Sequence, residues 1–384
     1  MPDYLSEAQS IAPELIALRR AFHMDPERGN HEFHTAARIE ETLNGWGIPT
    51  RRLLDTAVVG RLDGALPGRT VALRADMDAL PLSEATGADF ASRNEGVMHA
   101  CGHDVHMTAA LGAARLLASR REELKGSVLF LFQPDEEGRG GAQRMIEAGV
   151  LEGVDAVFGA HVSPELPLGH VGVRYGKFYA ASDTFKIIVH GVSSHGAERE
   201  KGIDALGAAA ALVSRLIDLP KCLPGERAVL SVGSFHAGTA ENALADRAEF
   251  AGIIRTLGPA ARSELKRLFR LAVDEVTAAW GATAEVTLRE SYPGVVNDDA
   301  MTALAEDAAR QLLGRDSVHV IERPTMTTED FGYFLMERPG SFYHIGAGCS
   351  LPLHNTAFLP DEQAPVVAAA VHAAVIQKYL MNAR

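Results

Sequence analysis

Residues 127–138 read S-V-L-F-L-F-Q-P-D-E-E-G. The apolar run from Ser127 to Phe132 has no polar alternation, which is the pattern of a strand covered on both faces, as in a parallel sheet. It stops abruptly at Gln133-Pro134, and three acids follow. Two neighbouring stretches behave the same way. Residues 70–73 run directly into R-A-D-M-D-A-L-P, placing Asp76 and Asp78 at a strand's carboxyl end, and residues 154–160 lead into His161. In an open α/β sheet ligands collect outside the carboxyl ends of the strands, so acids and an imidazole recurring there predict one shared site.

Working outward, helical spacing predicts opening helices over 7–23 and 33–46, and turn signals at Asp63-Gly64 and Pro67-Gly68 predict a hairpin of 57–62 with 70–73. A helix is expected over 108–124, starting near Asp104, and a short one over 141–150. From residue 183 the order changes to strand, helix, strand, strand, helix, strand (183–190, 203–219, 228–235, 248–254, 259–280, 284–289), which is the split βαβ unit. The expected division is therefore a first catalytic segment at 1–180, an inserted domain at 181–292, and a return to the first domain at 293–384. The fold class is α/β, with a mainly parallel sheet flanked by helices and an inserted ferredoxin-like α+β domain. The returning segment carries a helix over 298–313, a strand over 342–346, His354 in the loop L-P-L-H-N, and a closing helix over 363–379.

Residues 98–106 read M-H-A-C-G-H-D-V-H, packing a thiol, three imidazoles and a carboxylate into nine positions. Cys101 and His103 are two apart, and Gly102 lets the chain bend between them. A thiolate beside an imidazole suits zinc, manganese, nickel or cobalt. Adjacent Glu136 and Glu137 repel each other at a buried strand end unless a cation sits near them. One can bind the ion while the other handles protons, because a divalent ion brings the pKa of water to about 7 and a nearby carboxylate can carry that proton to a leaving amine. The expected reaction class is metal-assisted amide hydrolysis.

Composition narrows the partners. The formal charge of −13 opposes binding to nucleic acid or anionic membrane. No stretch is expected to reach membrane-spanning length, and the first ten residues lack a leader pattern, so a cytoplasmic protein is expected. Cys101, Cys222 and Cys349 are too few and too scattered for a disulfide framework.

Seven motifs in order, R-A-D-M-D-A-L-P, M-H-A-C-G-H-D, F-Q-P-D-E-E-G, G-A-H-V, S-S-H-G-A, T-E-D-F and L-H-N, run from Arg74 to Asn355. They resemble the M20 metallopeptidases, in particular the branch of aminoacylase, hippurate hydrolase and auxin-conjugate hydrolase. The resemblance implies a catalytic domain with two divalent metal ions (Mn, Zn, Ni or Co) and a smaller lid domain that forms a homodimer. It implies Cys101, His103, Glu137, His161 and His354 as metal ligands, Glu136 as general acid/base and Asp78 as the acid that supports the ligands. Asp76 and Asp104 are expected behind the ligands rather than among them. In the lid, His195 resembles the residue that steadies the oxyanion in the neighbouring subunit, and Asn242 and Arg255 resemble groups that hold substrate, Arg255 suiting a free carboxylate. The chain departs from its relatives at Glu198-Arg199-Glu200, at Asn242 to Asp246, at Thr327-Thr328, and at Asp135, where alanine is frequent. The resemblance implies hydrolysis of N-acyl-L-amino acids, with a carboxypeptidase or dipeptidase as the alternative. A binding protein without turnover has no need of Glu136, and a cysteine hydrolase built on Cys101 would keep its activity after metal removal.

Overall fold

The structure is a computed structural model that describes residues 2–223 and 225–382. It divides into two compact units, one of 1–176, 296–322 and 330–384, the other of 177–295 with 323–329. The short return of 323–329 to the second unit has no counterpart in the boundaries expected from sequence.

The first unit is built on an eight-stranded mixed sheet in the order Thr50–Leu53, Ala57–Asp63, Lys125–Gln133, Leu66–Asp76, Ala156–Ser163, Gly340–Gly346, Val171–Val173, Val318–Val320. Its centre is parallel: Leu66–Asp76 lies between Lys125–Gln133 and Ala156–Ser163, and all three run the same way. Their carboxyl ends therefore share one edge. The hairpin expected from the Asp63-Gly64 and Pro67-Gly68 turns does not form. Lys125–Gln133 inserts between the two strands, antiparallel to Ala57–Asp63 and parallel to Leu66–Asp76. The unbroken apolar run suits this interior position: residues 126–133 are buried along their whole length, with a partner strand on each edge.

Helices cover the sheet. The expected opening helix is two, Tyr4–Ser10 and Ala12–Met24, with Pro13 in the first turn of the second, where its missing N–H is not needed. The closing helix, Ala364–Asn382, has the length and apolar composition to cross a bilayer, contrary to the sequence expectation, but 89% of its apolar window is buried within the protein. It packs on His103–Ala118, Tyr4–Ser10 and Asp299–Leu313, so its all-round apolar surface is that of a core helix.

The second unit is a four-stranded antiparallel sheet ordered Thr283–Glu290, Ala181–His190, Arg247–Thr256, Ala228–Ala237. Helices Ala205–Ile217 and Pro259–Trp280 supply Leu212, Leu265 and Phe269 to a core shared with Phe185, Ile187, Val189 and Phe250. That order and connectivity are the ferredoxin-like arrangement expected from the strand-helix pattern.

Candidate metal centre

The parallel strands fix the register at the functional edge: Asp76 pairs with Gln133, and Arg74 with both Leu131 and Gly159. Residues past the strand ends then turn toward one another. Leu80 and Met98 exchange backbone bonds of 3.0 Å in both directions, which brings the segment after Asp78 against the one before Cys101. Gly102 has φ +86° and starts the helix His103–Ala118; a Cβ there would lie 2.5 Å from Val162 Cγ2, so only glycine lets Cys101 and His103 approach the strand that carries His161. His354, itself in the left-handed region at φ +62°, is tied to the same stretch by its N–H to Ala100 O at 2.8 Å.

The donors converge. Cys101 Sγ lies 3.3 Å from His161 Nε2, and His354 Nε2 lies 3.1 Å from Glu137 Oε1. Cys101, His103 and His161 form one group with ligand atoms within 4.8 Å of one another; Cys101, Glu137 and His354 form a second, and His103, Glu136 and Glu137 a third. Both buried imidazoles have their orientation set by carbonyls: His103 Nδ1 donates to Asp78 O at 2.8 Å, and His161 Nδ1 donates to Val162 O at 2.8 Å. With Nδ1 so engaged, Nε2 is the atom that each ring offers to a cation once it is unprotonated. His103 Nε2 is fully buried with no hydrogen-bond partner, the feature expected of a ligand atom directed at a cation.

Electrostatics agree with that assignment. Burial opposes a charged His103, but Asp76, Asp78 and Glu137 outweigh it and push its pKa up to about 10. Burial, then Glu137 and Glu136, push the Cys101 thiol well above its ordinary range. The cluster thus gathers negative charge that favours a bound cation. The donor set fits two divalent ions held by overlapping clusters of Cys, His and carboxylate.

Asp76, His103 and His106 also lie close together, but His106 has no lone pair to give. Its Nε2 accepts the Val162 N–H at 2.9 Å and its Nδ1 donates to Asp76 Oδ1 at 2.6 Å. Burial drives its pKa down to about 4, so the ring stays neutral in this role. Asp76 is engaged on its other oxygen by Arg74 Nη1 at 2.7 Å. Asp78 uses its two oxygens as a clamp, accepting the Glu136 N–H at 3.0 Å and the Glu137 N–H at 2.9 Å. Asp104 is directed elsewhere, with Oδ2 accepting from Arg19 Nε at 2.8 Å and His23 Nδ1 at 2.9 Å.

Sequence reading missed the buried frame beneath the donors. Arg74 Nη2 reaches Asp330 Oδ1 at 2.7 Å and Arg74 Nε reaches Gln133 Oε1 at 2.8 Å, while Gln133 Nε2 donates to Asp330 Oδ2 at 2.8 Å. The Asp330 N–H points to Glu136 Oε1 at 3.4 Å. A signal was present: Arg74 is a charge inside an apolar strand, and such a group is buried only with partners.

In the second unit His195 and Asn242 are exposed neighbours, since the Gly196 N–H donates to Asn242 O at 2.8 Å and His195 bridges Ala243. Arg255 stands apart from them on the strand Arg247–Thr256, half-buried, with Nη1 donating to Ser182 Oγ at 2.6 Å.

Residues 72–382 match the family model described as peptidase family M20/M25/M40. The chain belongs to peptidase family M20. This M20 chain is similar along nearly its full length to thermostable carboxypeptidase 1 of Saccharolobus solfataricus, at 39% identity over 97% of both chains. It is 38% identical to the N-acetyl-L-cysteine deacetylase of Bacillus subtilis, over 94% of this chain and 86% of that one. Among solved structures it resembles the Bacillus subtilis YXEP protein, described as a dinuclear metal binding peptidase from the M20 family, with TM-score 0.89, 36% identity, and coverage of 97% and 99%. The protein is a metal-dependent hydrolase of the M20 peptidase and amidohydrolase type.

Proposed function

We propose that this chain cleaves the amide bond on the amino side of a residue with a free α-carboxylate, acting as a carboxypeptidase or dipeptidase on short peptides. The observation that carries the reading is the convergence of Cys101, His103, Glu137, His161 and His354 on one sheet edge, with Glu136 beside them. The peptide preference is supported by the full-length similarity to two thermostable carboxypeptidases. The second reading, hydrolysis of N-acyl-L-amino acids, is supported by similarity to two acetylcysteine deacetylases and to an N-acyl-L-amino acid amidohydrolase. Both substrates have the same leaving half, an amino acid, and differ in whether the acyl side carries an amine.

In this reading Cys101, His103, Glu137, His161 and His354 hold two ions from among manganese, zinc, nickel and cobalt. The ions would acidify a water and polarise the scissile carbonyl. Glu136, 7% exposed and steadied by the Asp330 N–H, takes the proton of the attacking water and returns it to the departing nitrogen. Asp78 holds the backbone from which both glutamates project. His195, Asn242 and Arg255 are retained as candidate substrate contacts. A Cys101 nucleophile is disfavoured, because burial raises its thiol whereas a nucleophilic cysteine requires a lowered pKa.

The test compares a dipeptide with the N-acetyl amino acid that shares its C-terminal residue, on metal-reconstituted protein, with and without a chelator. Faster cleavage of the dipeptide, abolished by chelation, is expected. Preference for the acetyl compound would install the second reading, and activity that survives complete metal removal would sink both.

A further inference from the structure

Glu136 and Glu137 project from a turn whose first residue, Asp135, has φ +59°. Aspartate enters that left-handed region more readily than most residues with a Cβ, but still at a cost that neighbouring contacts offset. The holding is shared between the turn itself, where the Gly140 N–H also donates to Asp135 O at 3.0 Å, and one remote segment, residues 29–32. The Asp135 N–H donates to Glu32 Oε1 at 3.0 Å, and Asn30 Nδ2 donates to Asp135 Oδ2 at 2.7 Å. Gly29 lies so close that a Cβ there would sit 2.3 Å from Asp135 Oδ1. From the turn's own side, Asp135 Oδ2 also accepts the Arg139 N–H at 3.3 Å and Arg144 Nη2 at 3.2 Å. Glu32 is fully buried and is itself fixed, since Oε2 accepts from Thr56 Oγ1 at 2.9 Å. Together with Asp78, it means that the amide protons of 135, 136 and 137 are held in succession by two buried carboxylates from distant parts of the chain.

We propose that Glu32, assisted by Asn30, is a positioning residue that locks the left-handed Asp135 and thereby aims Glu136 and Glu137. The proposal rests on the roles given above to those two glutamates. Glu32 touches no substrate and works by accepting hydrogen bonds. Its charge is not what the turn requires. A glutamine could keep both contacts, its carbonyl accepting the Asp135 N–H and its NH₂ donating to a rotated Thr56 hydroxyl, whereas alanine keeps neither. Asn30→Gly removes the amide contact but tolerates the φ of +63° at that exposed position.

The experiment measures hydrogen exchange by mass spectrometry on the metal-free variants and steady-state kinetics on the metal-loaded ones. For Glu32→Ala, the peptide spanning 134–141 should exchange at least about tenfold faster while the central strands keep the parental rate. Its kcat should fall about ten- to a hundredfold with KM little changed, the scale of lost outer contacts at metal sites. Asn30→Gly should shift both in the same direction by less, and Glu32→Gln should match the parent. Unchanged exchange at 134–141 overturns the proposal, as does a loss in Glu32→Gln equal to that of Glu32→Ala, or faster exchange everywhere. If Glu32→Ala does not fold, Asn30→Gly decides by the same criterion. Exchange needs no turnover, so a parent inactive on peptides would refute the proposed peptidase function without touching this result, and unchanged exchange in active protein would do the reverse.

Discussion

Asp78→Asn alters one atom of a carboxylate that clamps two amides and also lies 3.3 Å from His103 Nδ1. The residue is 2% exposed, and each carboxylate oxygen accepts one amide, from Glu136 at 3.0 Å and from Glu137 at 2.9 Å. Asparagine retains one acceptor and turns an NH₂ toward the other amide, so one charge-assisted bond is lost and a buried donor faces another donor. The first effect is worth about 1.5–3 kcal/mol and the second about 1–3 kcal/mol if nothing moves. The turn can shift by a few tenths of an ångström and relieve part of this, which moves Glu137 away from Cys101 and His354. About 2–3 kcal/mol should remain, equivalent to roughly 30- to 150-fold weaker binding of the ion that Glu137 is proposed to hold. Chelator competition with a metal-sensitive dye on variant and parent gives the number directly. Affinity and kcat within about threefold of the parent would show that the two bonds do not set the turn, and the clamp argument would fail.

Other consequences can be checked with ordinary means. Glu136→Gln should keep both ions by elemental analysis while kcat drops about a hundred- to ten-thousandfold; a variant as active as the parent means that the base lies elsewhere. His103, raised to about 10 in the metal-free protein, stabilises that form fully below its unfolded pKa of about 6.5 and loses the contribution as pH rises through about 10. Metal-free protein should therefore lose melting temperature across that window, and metal binding near pH 8 should release about two protons, one from His103 and one from the Cys101 thiol, read by calorimetry in buffers of different ionisation enthalpy. Zero release would contradict the assigned ligands. Arg74→Met leaves Asp76 and Asp330 buried without their cation and should cost about 3–5 kcal/mol in chemical unfolding, so a variant as stable as the parent would remove Arg74 from the frame.

The sequence by itself determined the class of fold and the chemistry. A short apolar run with no alternation, bounded by turn residues, fits an interior strand, and acids or imidazoles placed just beyond three such runs mark the functional edge, because both properties are local. The split βαβ order of the second unit was legible for the same reason. Tertiary structure decided what depends on partners far apart in the chain. It put Lys125–Gln133 where a hairpin was expected, since a strand covered on both faces takes neighbours from wherever they are available. It separated His106 from the ligands by committing both ring nitrogens, turned Asp104 toward Arg19 and His23, and joined Arg74, Gln133 and Asp330 beneath Glu136. A motif fixes which donors exist, but whether a lone pair is left over for a cation depends on what else the fold brings within hydrogen-bonding distance.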